Sequence, residues 1–515
     1  MRETSVTTIA VDDPQRQPSR IFVIVRNMLS ILGSDIANRA SSFALYVLVA
    51  RFLGEFSMGQ MALAQQTFFF LGYSLAGLGV RWFIARELSG QPQKTESYLV
   101  NGTVMVLGTS ALMWLAFLVV TIASGYADMT RNAILLMAVT IFPYTMMMVL
   151  EGTFIGREKM HFVFLINAPM NVINIAAVFV VLNNGGNLFH VIAIQVIAYI
   201  LIALIEWGLM LRFVARPEFR PQWSEIKKLA RATSSFFGID AVVAVLATMQ
   251  LYLISLVGGE SRVGLYSSAY QLFQPTLLII TSLVGSMLPV MTRMVEPGYH
   301  KLKIGAERLA ELLLWISIPA VVGLVFVASD LLVFIFGRES YAEAGLYLQI
   351  IAGSLIFRSI VNILGYMLYA SKNEHYNLRI VTVSSVLSLA GNLFAIINYG
   401  SLGAAFVFLF LNIADFIMHS IVVWRVMKIT LNPLPIFWRA TLASGVMAAA
   451  LYLLADQPVL IRIIAAGSVY AVSMGVILFA TVGGPRKIKE RYLSRPSDAP
   501  AASEVTALST LAEPD

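Results

Sequence analysis

An apolar stretch that carries two opposite charges, and that occurs twice, constrains this chain more than any other feature. The run Ile31–Phe68 is long enough to cross a bilayer, yet it holds Asp35 and Arg39 four residues apart, hence on one helix face. Each ionised group at such a depth costs roughly 2.5–3.5 kcal/mol on insertion scales, so these side chains are expected to face a partner or a wet cavity. The pattern returns in Phe236–Phe273, where Asp240 stands 205 residues after Asp35. At that offset Ser30/Ser235, Gly33/Gly238, Asp35/Asp240, Leu48/Leu253, Gly54/Gly259, Glu55/Glu260, Gly59/Gly264, Ala64/Ala269, Gln66/Gln271 and Phe68/Phe273 are identical, more than shared apolar composition explains. The chain reads as two copies of one membrane unit.

Composition identifies the solvent. With 58% hydrophobic and 13% charged residues and a mean hydropathy of +0.78, the chain reads as an all-α polytopic membrane protein. Its apolar segments run to roughly twenty residues rather than roughly ten alternating ones, which excludes a transmembrane barrel. The absence of cysteine excludes disulfides, cysteine-ligated zinc and thiol catalysis. There is no GxxxxGK[ST] phosphate loop, no HExxH motif and no extramembranous segment long enough for a catalytic domain. Neither enzymatic activity nor a metal or cofactor is expected. Residues 1–20 are polar, with Pro14 and Pro18, and the first apolar run is a full span, so no cleavable signal peptide is expected.

Hydropathy places fourteen spans at 28–52, 57–79, 98–123, 132–155, 162–183, 188–211, 232–257, 264–290, 305–328, 345–370, 377–398, 402–424, 436–455 and 460–482. Of the 36 Lys and Arg, Arg39 and Arg358 lie near the middle of spans, and only Arg51, Arg131, Arg262, Arg338 and Arg462 fall in odd-numbered loops or at the span ends beside them. The other 29 lie in the tails, in the even-numbered loops or at the span ends beside them, which puts both termini in the cytoplasm. The net charge of +7 is therefore a topology signal and not a nucleic-acid surface.

The repeat divides the chain. A cytoplasmic tail (1–25) precedes a six-span N-lobe (26–212), a basic cytoplasmic linker (213–231) and a six-span C-lobe (232–428). Residues 429–484 add two spans outside the repeat, and 485–515 read as a disordered cytoplasmic tail. Within the linker, Trp223–Leu229 reads either as a short interfacial helix or as a solvated connector. A second signal joins Asn184, Gly186 and Leu188 to Asn398, Gly400 and Leu402, and His161 to His375, at an offset of 214. Six spans is an even number, so the two lobes share one orientation and are expected to be related by a pseudo-two-fold axis along the membrane normal.

Charges at depth supply the candidate site. Arg39 and Arg358 sit near the middle of spans 1 and 10 and keep their charge, so each needs an anion. For Arg39 one reading is simple neutralisation by Asp35; Arg358 has no acid within a helical turn and calls for a partner from another helix or a ligand. Asp240 and Asp415 are also deep, and Asp415 stands one turn from His419, as a proton relay or as a satisfied structural contact. Glu151 and Glu206, near the cytoplasmic ends of their spans, are expected to snorkel or to pair with Arg157 and Arg212. Asn171 and Asn174, beside Pro169, read as interhelical hydrogen-bond formers.

The run GSDIANRASSFALYVLVARFLGEFSMGQMALAQQ resembles the first hairpin of the bacterial polysaccharide-transporter family, the O-antigen and exopolysaccharide-repeat flippases. The segment from Asn392 to Ala405 is similar to that family's turn between spans 11 and 12. The resemblance spans roughly residues 25–430. It implies the two-lobe fold of the multidrug/oligosaccharidyl-lipid/polysaccharide exporter superfamily, with a central cavity that opens alternately to the two membrane faces. It also implies transport of an undecaprenyl-pyrophosphate-linked oligosaccharide at the bacterial inner membrane. Arg39, Arg358 and Asp35 would then belong to the substrate cavity, and Asp240, Asp415 and His419 to ion coupling. The partners would be lipid-linked oligosaccharide, membrane lipids and a polysaccharide polymerase or chain-length machinery. Two alternatives stand beside this: a cation-coupled multidrug exporter of the same fold, and a membrane polymerase or glycosyltransferase.

The charge distribution makes a topological prediction. In this naturally cysteine-free chain, single cysteines at Gly185, Gly259 and Gly400 should label from the periplasm, and those at Lys94, Lys227 and Lys487 from the cytoplasm. Cytoplasmic labelling at Gly185 together with periplasmic labelling at Lys227 would overturn the arrangement.

Overall fold

A computed structural model of the chain describes residues 20–69, 75–77, 79–123, 125–295 and 299–484; side chains are described at all of these except 20–29, 31–32, 234–247 and 433–435. The terminal segments 1–19 and 485–515 and the side chain of Asp240 lie outside the described residues. Among the described residues, eleven helical stretches are long and apolar enough to cross a membrane, and no strand is present. The protein is an all-α polytopic membrane protein. Contacts divide it into two units, Met1–Gly264 and Leu265–Asp515.

The first unit holds α1 (Arg20–Leu53), α2 (Glu55–Phe68), α3 (Val80–Gly90), α4 (Thr95–Ala123), α5 (Asp128–Ala138), α6 (Ile141–Gly156), α7 (His161–Asn183), α8 (Leu188–Phe213) and the first half of α9 (Trp223–Val295). α1 packs on α7, α2 on α5, α3 and α4 on α6, and α8 on α5, α6 and α7. The predicted span 132–155 is α5 followed by α6. Pro143 lacks an N–H and its ring would strike the carbonyl of residue 139, so the helix breaks at Val139–Thr140. Hydropathy gave no hint of α3. Its apolar residues Val80, Phe83, Ile84 and Leu88 recur at helical spacing and are buried, while Trp82 and Arg86 line the other side.

The repeat is visible in backbone conformation. Gly54 (φ 89°) ends the first span and Gly259 (φ 75°) ends its copy, a left-handed region that side chains with a Cβ avoid. Five residues on, a Cβ on Gly59 would lie 1.8 Å from the carbonyl oxygen of Glu260, and one on Gly264 would lie 1.9 Å from that of Glu55. These four residues are two repeat-equivalent pairs, so the crossing of α2 with α9 is reciprocal: each copy presents to the other what it receives. Beside it, Gln60 Nε2 donates to Thr130 Oγ1 at 2.8 Å, and Thr130 donates to Glu260 Oε1 at 2.9 Å. The linker residues from Trp223 onward are helical and continuous with α9. Trp223 is exposed while Ile226 and Leu229 bury against Val80, Phe83 and Leu99.

The second unit holds the rest of α9, α10 (Tyr299–Phe336), α11 (Ala344–Ala370), α12 (Glu374–Met427), α13 (Pro433–Leu453) and α14 (Val459–Val482). α12 contains two predicted spans joined through Gly400, whose positive φ (59°) turns the chain within one residue. α13 and α14, the two spans read as lying outside the repeat, are attached to α10 by ion pairs, of which the α13 pair is buried. Arg439 pairs with Glu311, the two side chains being 7% and 5% exposed, and donates through Nε to Thr481 Oγ1 at 3.1 Å. Arg462 pairs with Asp330 and donates to the carbonyl of Phe326 at 2.7 Å. An apolar cluster of Val327, Met447, Leu451 and Ala466 fills the space between.

Removing one partner from a buried ion pair leaves an unanswered charge, at a cost of about 3–5 kcal/mol, whereas replacing both with apolar groups is often neutral. Arg439→Met and Glu311→Met should therefore each lower stability by that amount, and the double variant should recover most of it. Thermal unfolding in detergent checks this; a double variant as unstable as the singles would refute it.

Candidate functional site

The sequence-predicted residues fall into two groups, one in each unit. In the first, Arg39 Nε meets Asp35 Oδ2 at 3.4 Å across one turn of α1, and the side chains remain 49% and 59% exposed. This is a loose, single contact, not a bidentate clamp. Asn38, also exposed, accepts from Asn171 Nδ2 of α7 at 2.6 Å. Asp35, Asn38 and Arg39 thus form a polar strip on α1. Ionised groups are expensive against hydrocarbon, so a strip this open faces water. Asn171 fulfils its expected interhelical bond, while the buried Oδ1 of Asn174 has no partner among the described residues.

In the second unit, Arg358 on α11 is half-buried and makes no ion pair among the described residues. Tyr270 and His419 both lie within its electrostatic reach. Asp415 accepts a hydrogen bond from the Ser384 hydroxyl. His419 does not bond to the Asp415 carboxylate. Its Nδ1 lies 2.8 Å from the Asp415 backbone carbonyl, and its Nε2 lies 3.1 Å from Asn377 Oδ1. Asn377 spends its Nδ2 on the Gly365 carbonyl at 3.1 Å, which fixes the amide so that both ring nitrogens face acceptors. The structure therefore brings Arg358, Asp415 and His419 into one neighbourhood, while Asp415 and His419 keep separate partners. Asp240 belongs to neither description, since its side chain lies outside the described residues.

The family described as polysaccharide biosynthesis protein matches residues 24–295, more than half of the chain. The chain belongs to that family. It is 24% identical over 213 residues to a protein of Klebsiella pneumoniae named as an uncharacterized membrane protein in the cps region, covering 39% of this chain and 42% of that one. It is also 24% identical over 206 residues to the probable low-salt glycan biosynthesis flippase Agl15 of Haloferax volcanii, covering 40% and 43%. The chain thus matches about two fifths of the length of these relatives. In fold it is similar to the lipid II flippase MurJ in an inward closed conformation, with a TM-score of 0.71 at 16% identity over 88% of this chain and 99% of that one. An inward-facing multidrug resistance transporter of the MATE family aligns with a TM-score of 0.60 at 15% identity, over 79% and 98%. The resemblance of the first hairpin therefore led to the right family and to the observed fold.

Glu151 and Glu206 depart from expectation. Glu151 pairs with Arg81 Nη1 at 3.1 Å, not with Arg157, which donates instead to the Pro92 carbonyl at 3.4 Å. Glu206 is buried and has no hydrogen-bonding partner among the described residues; Arg212 lies over the Phe213 ring. The polar ends of α6 and α8 turn into the helix packing instead of snorkelling out. Two signals pointed this way: the Gly152-x-x-x-Gly156 groove on α6 and the helical spacing of Val80, Phe83, Ile84 and Leu88.

Because the Asp35–Arg39 pair is exposed and poorly aligned, it contributes less than about 1 kcal/mol to stability. Asp35→Asn should leave the thermal midpoint in detergent essentially unchanged. A drop comparable to that of Arg439→Met would show the pair to be a structural element of α1.

Proposed function

We propose that the protein is a flippase that moves an undecaprenyl-pyrophosphate-linked oligosaccharide from the cytoplasmic to the periplasmic leaflet by alternating access between two lobes, 26–212 and 232–428. Membership of the polysaccharide biosynthesis family supports the pathway, and the exporter fold supports transport. The observation that carries the substrate class is Arg358, a guanidinium inside a membrane helix with no ion-pair partner among the described residues. A diphosphate supplies the missing charge and matches the two-pronged donor geometry of arginine. Arg39 is the second such group, since its pair with Asp35 is open enough to exchange for a ligand.

Each arginine lies fourteen residues from the helix end next to an odd-numbered loop, counting from Leu53 on α1 and from Ala344 on α11. For straight helices that is ~21 Å from the same membrane face. Each guanidinium offers paired donors to a diphosphate, with the sugar in water and the polyprenyl chain in lipid. Asp240, or Asp415 with His419, would couple the cycle to an ion. The protein would reside in the bacterial inner membrane with both termini in the cytoplasm and hand its product to the polymerase or chain-length machinery.

Arg39→Ala and Arg358→Ala should each abolish polysaccharide export while the protein still inserts, and lysine at either place should rescue only in part. Asp35→Asn should leave transport intact if Asp35 merely answers Arg39, and should stop transport without loss of binding if it carries the coupling ion. Export at the unmodified rate in both alanine variants, expressed at normal levels, would refute the diphosphate site.

A further inference from the structure

The first unit contains a second group of charges, away from Asp35 and Arg39. Met147 of α6 packs with Ile202 and Ala203 of α8, and one helical turn further along each helix stand Glu151 and Glu206. α3 closes the group from a third side. Gly152 admits its backbone, since a Cβ there would lie 2.6 Å from the Arg81 carbonyl oxygen. That approach sets the Arg81 guanidinium 3.1 Å from Glu151 Oε2, and the Asn167 side chain of α7 hydrogen-bonds to the same carboxyl. Glu206 is 0% exposed, and no donor among the described residues reaches either of its carboxylate oxygens. The buried Nε of Arg81 also lacks a partner among the described residues.

Which charges bear on Glu206 follows from the elements packed against α8. Glu151 and Arg81 lie within electrostatic reach of it. On α5, Asp128 and Arg131 pair with each other at 2.7 Å. Glu55 stands at the far end of α2, and His161 at the start of α7 rests on the Phe162 ring with centroids 4.3 Å apart. On α8 itself His190 belongs to the N-terminal capping box, and Arg212 lies over Phe213.

The group therefore sets two carboxyls against one guanidinium in an apolar interior. Arginine keeps its charge and answers one carboxylate. A second, ionised and without donors, costs several kcal/mol, and neighbouring carboxyls relieve that cost by holding a proton between them. A metal cation would sit against the guanidinium and find few neutral oxygens, so the proton is the better occupant. We propose that Glu151 and Glu206 together bind one exchangeable proton opposite Arg81, a cation-coupling site inside the first unit and distinct from Asp35, Asp240 and Asp415. This goes beyond the diphosphate reading and does not depend on it.

Infrared difference spectroscopy of the purified full chain in lipid nanodiscs, titrated through neutral pH, reads the C=O stretch of protonated carboxylic acids directly. The unmodified chain should show such a band, shifted by deuterium exchange. Glu206→Gln and Glu151→Gln should each remove it, because either leaves one carboxylate for one guanidinium. Arg81→Gln should raise its intensity about twofold, since both acids are then neutral. If Glu206→Gln does not accumulate, Glu151→Gln and Arg81→Gln still carry the comparison. A band unchanged in the variants overturns the proposal. So does a band that sodium chloride, but not choline chloride, erases at constant pH, which would make the pair a metal site.

Discussion

Hydrocarbon cannot solvate charge, and the arrangement of this protein follows from how each membrane-embedded charge is answered. Arg439 with Glu311 and Arg462 with Asp330 pair charge for charge. Those two pairs attach α13 and α14 to α10, so the helices outside the repeat are held by electrostatics as well as by apolar packing. Arg81 with Glu151 answers two of three charges and leaves Glu206 over. Arg358 has no anion among the described residues, and Arg39 has a loose one. Charges that are completely paired serve structure; those incompletely paired are the ones proposed to meet a ligand or a proton.

Close backbone approach is the second constraint. Lipid provides no hydrophobic drive between helices, so helices associate where small residues let their backbones touch. Gly59 and Gly264 do this where α2 crosses α9, and Gly152 does it where α3 meets α6. In both places the approach sets a polar group: the Gln60–Thr130–Glu260 chain beside the first, and the Arg81–Glu151 pair beside the second. Packing and polar chemistry share the same glycines. A substitution there would disturb both at once.

Much of the candidate site was legible in the chain because arginine in an apolar span is a rare and local signal. Arg39 and Arg358 needed no tertiary information to be singled out. Their different surroundings did: Arg39 has Asp35 a turn away on its own helix, whereas Arg358 is set beside His419 and Tyr270 by the packing of other helices. His419 was expected beside Asp415, and it is, but through the backbone carbonyl; Asn377, from the start of α12, is its side-chain partner. Glu151 and Glu206 were assigned to arginines nearby in sequence, and packing chose otherwise.

The membrane solvent, the order of the spans and the internal duplication were all determined by the amino-acid sequence alone, because hydropathy is a property of local windows and a repeat is a property of the string. The family, too, was readable in the first hairpin. The tertiary structure alone decided which face each helix buries, where α5 and α6 part, that Val80–Gly90 is a helix against α6, and that Glu206 is left without a partner among the described residues. Those outcomes depend on helix rotation and on contacts between residues far apart in the chain. In spans apolar on nearly every side, the sequence carries almost no periodic signal from which a rotation could be read.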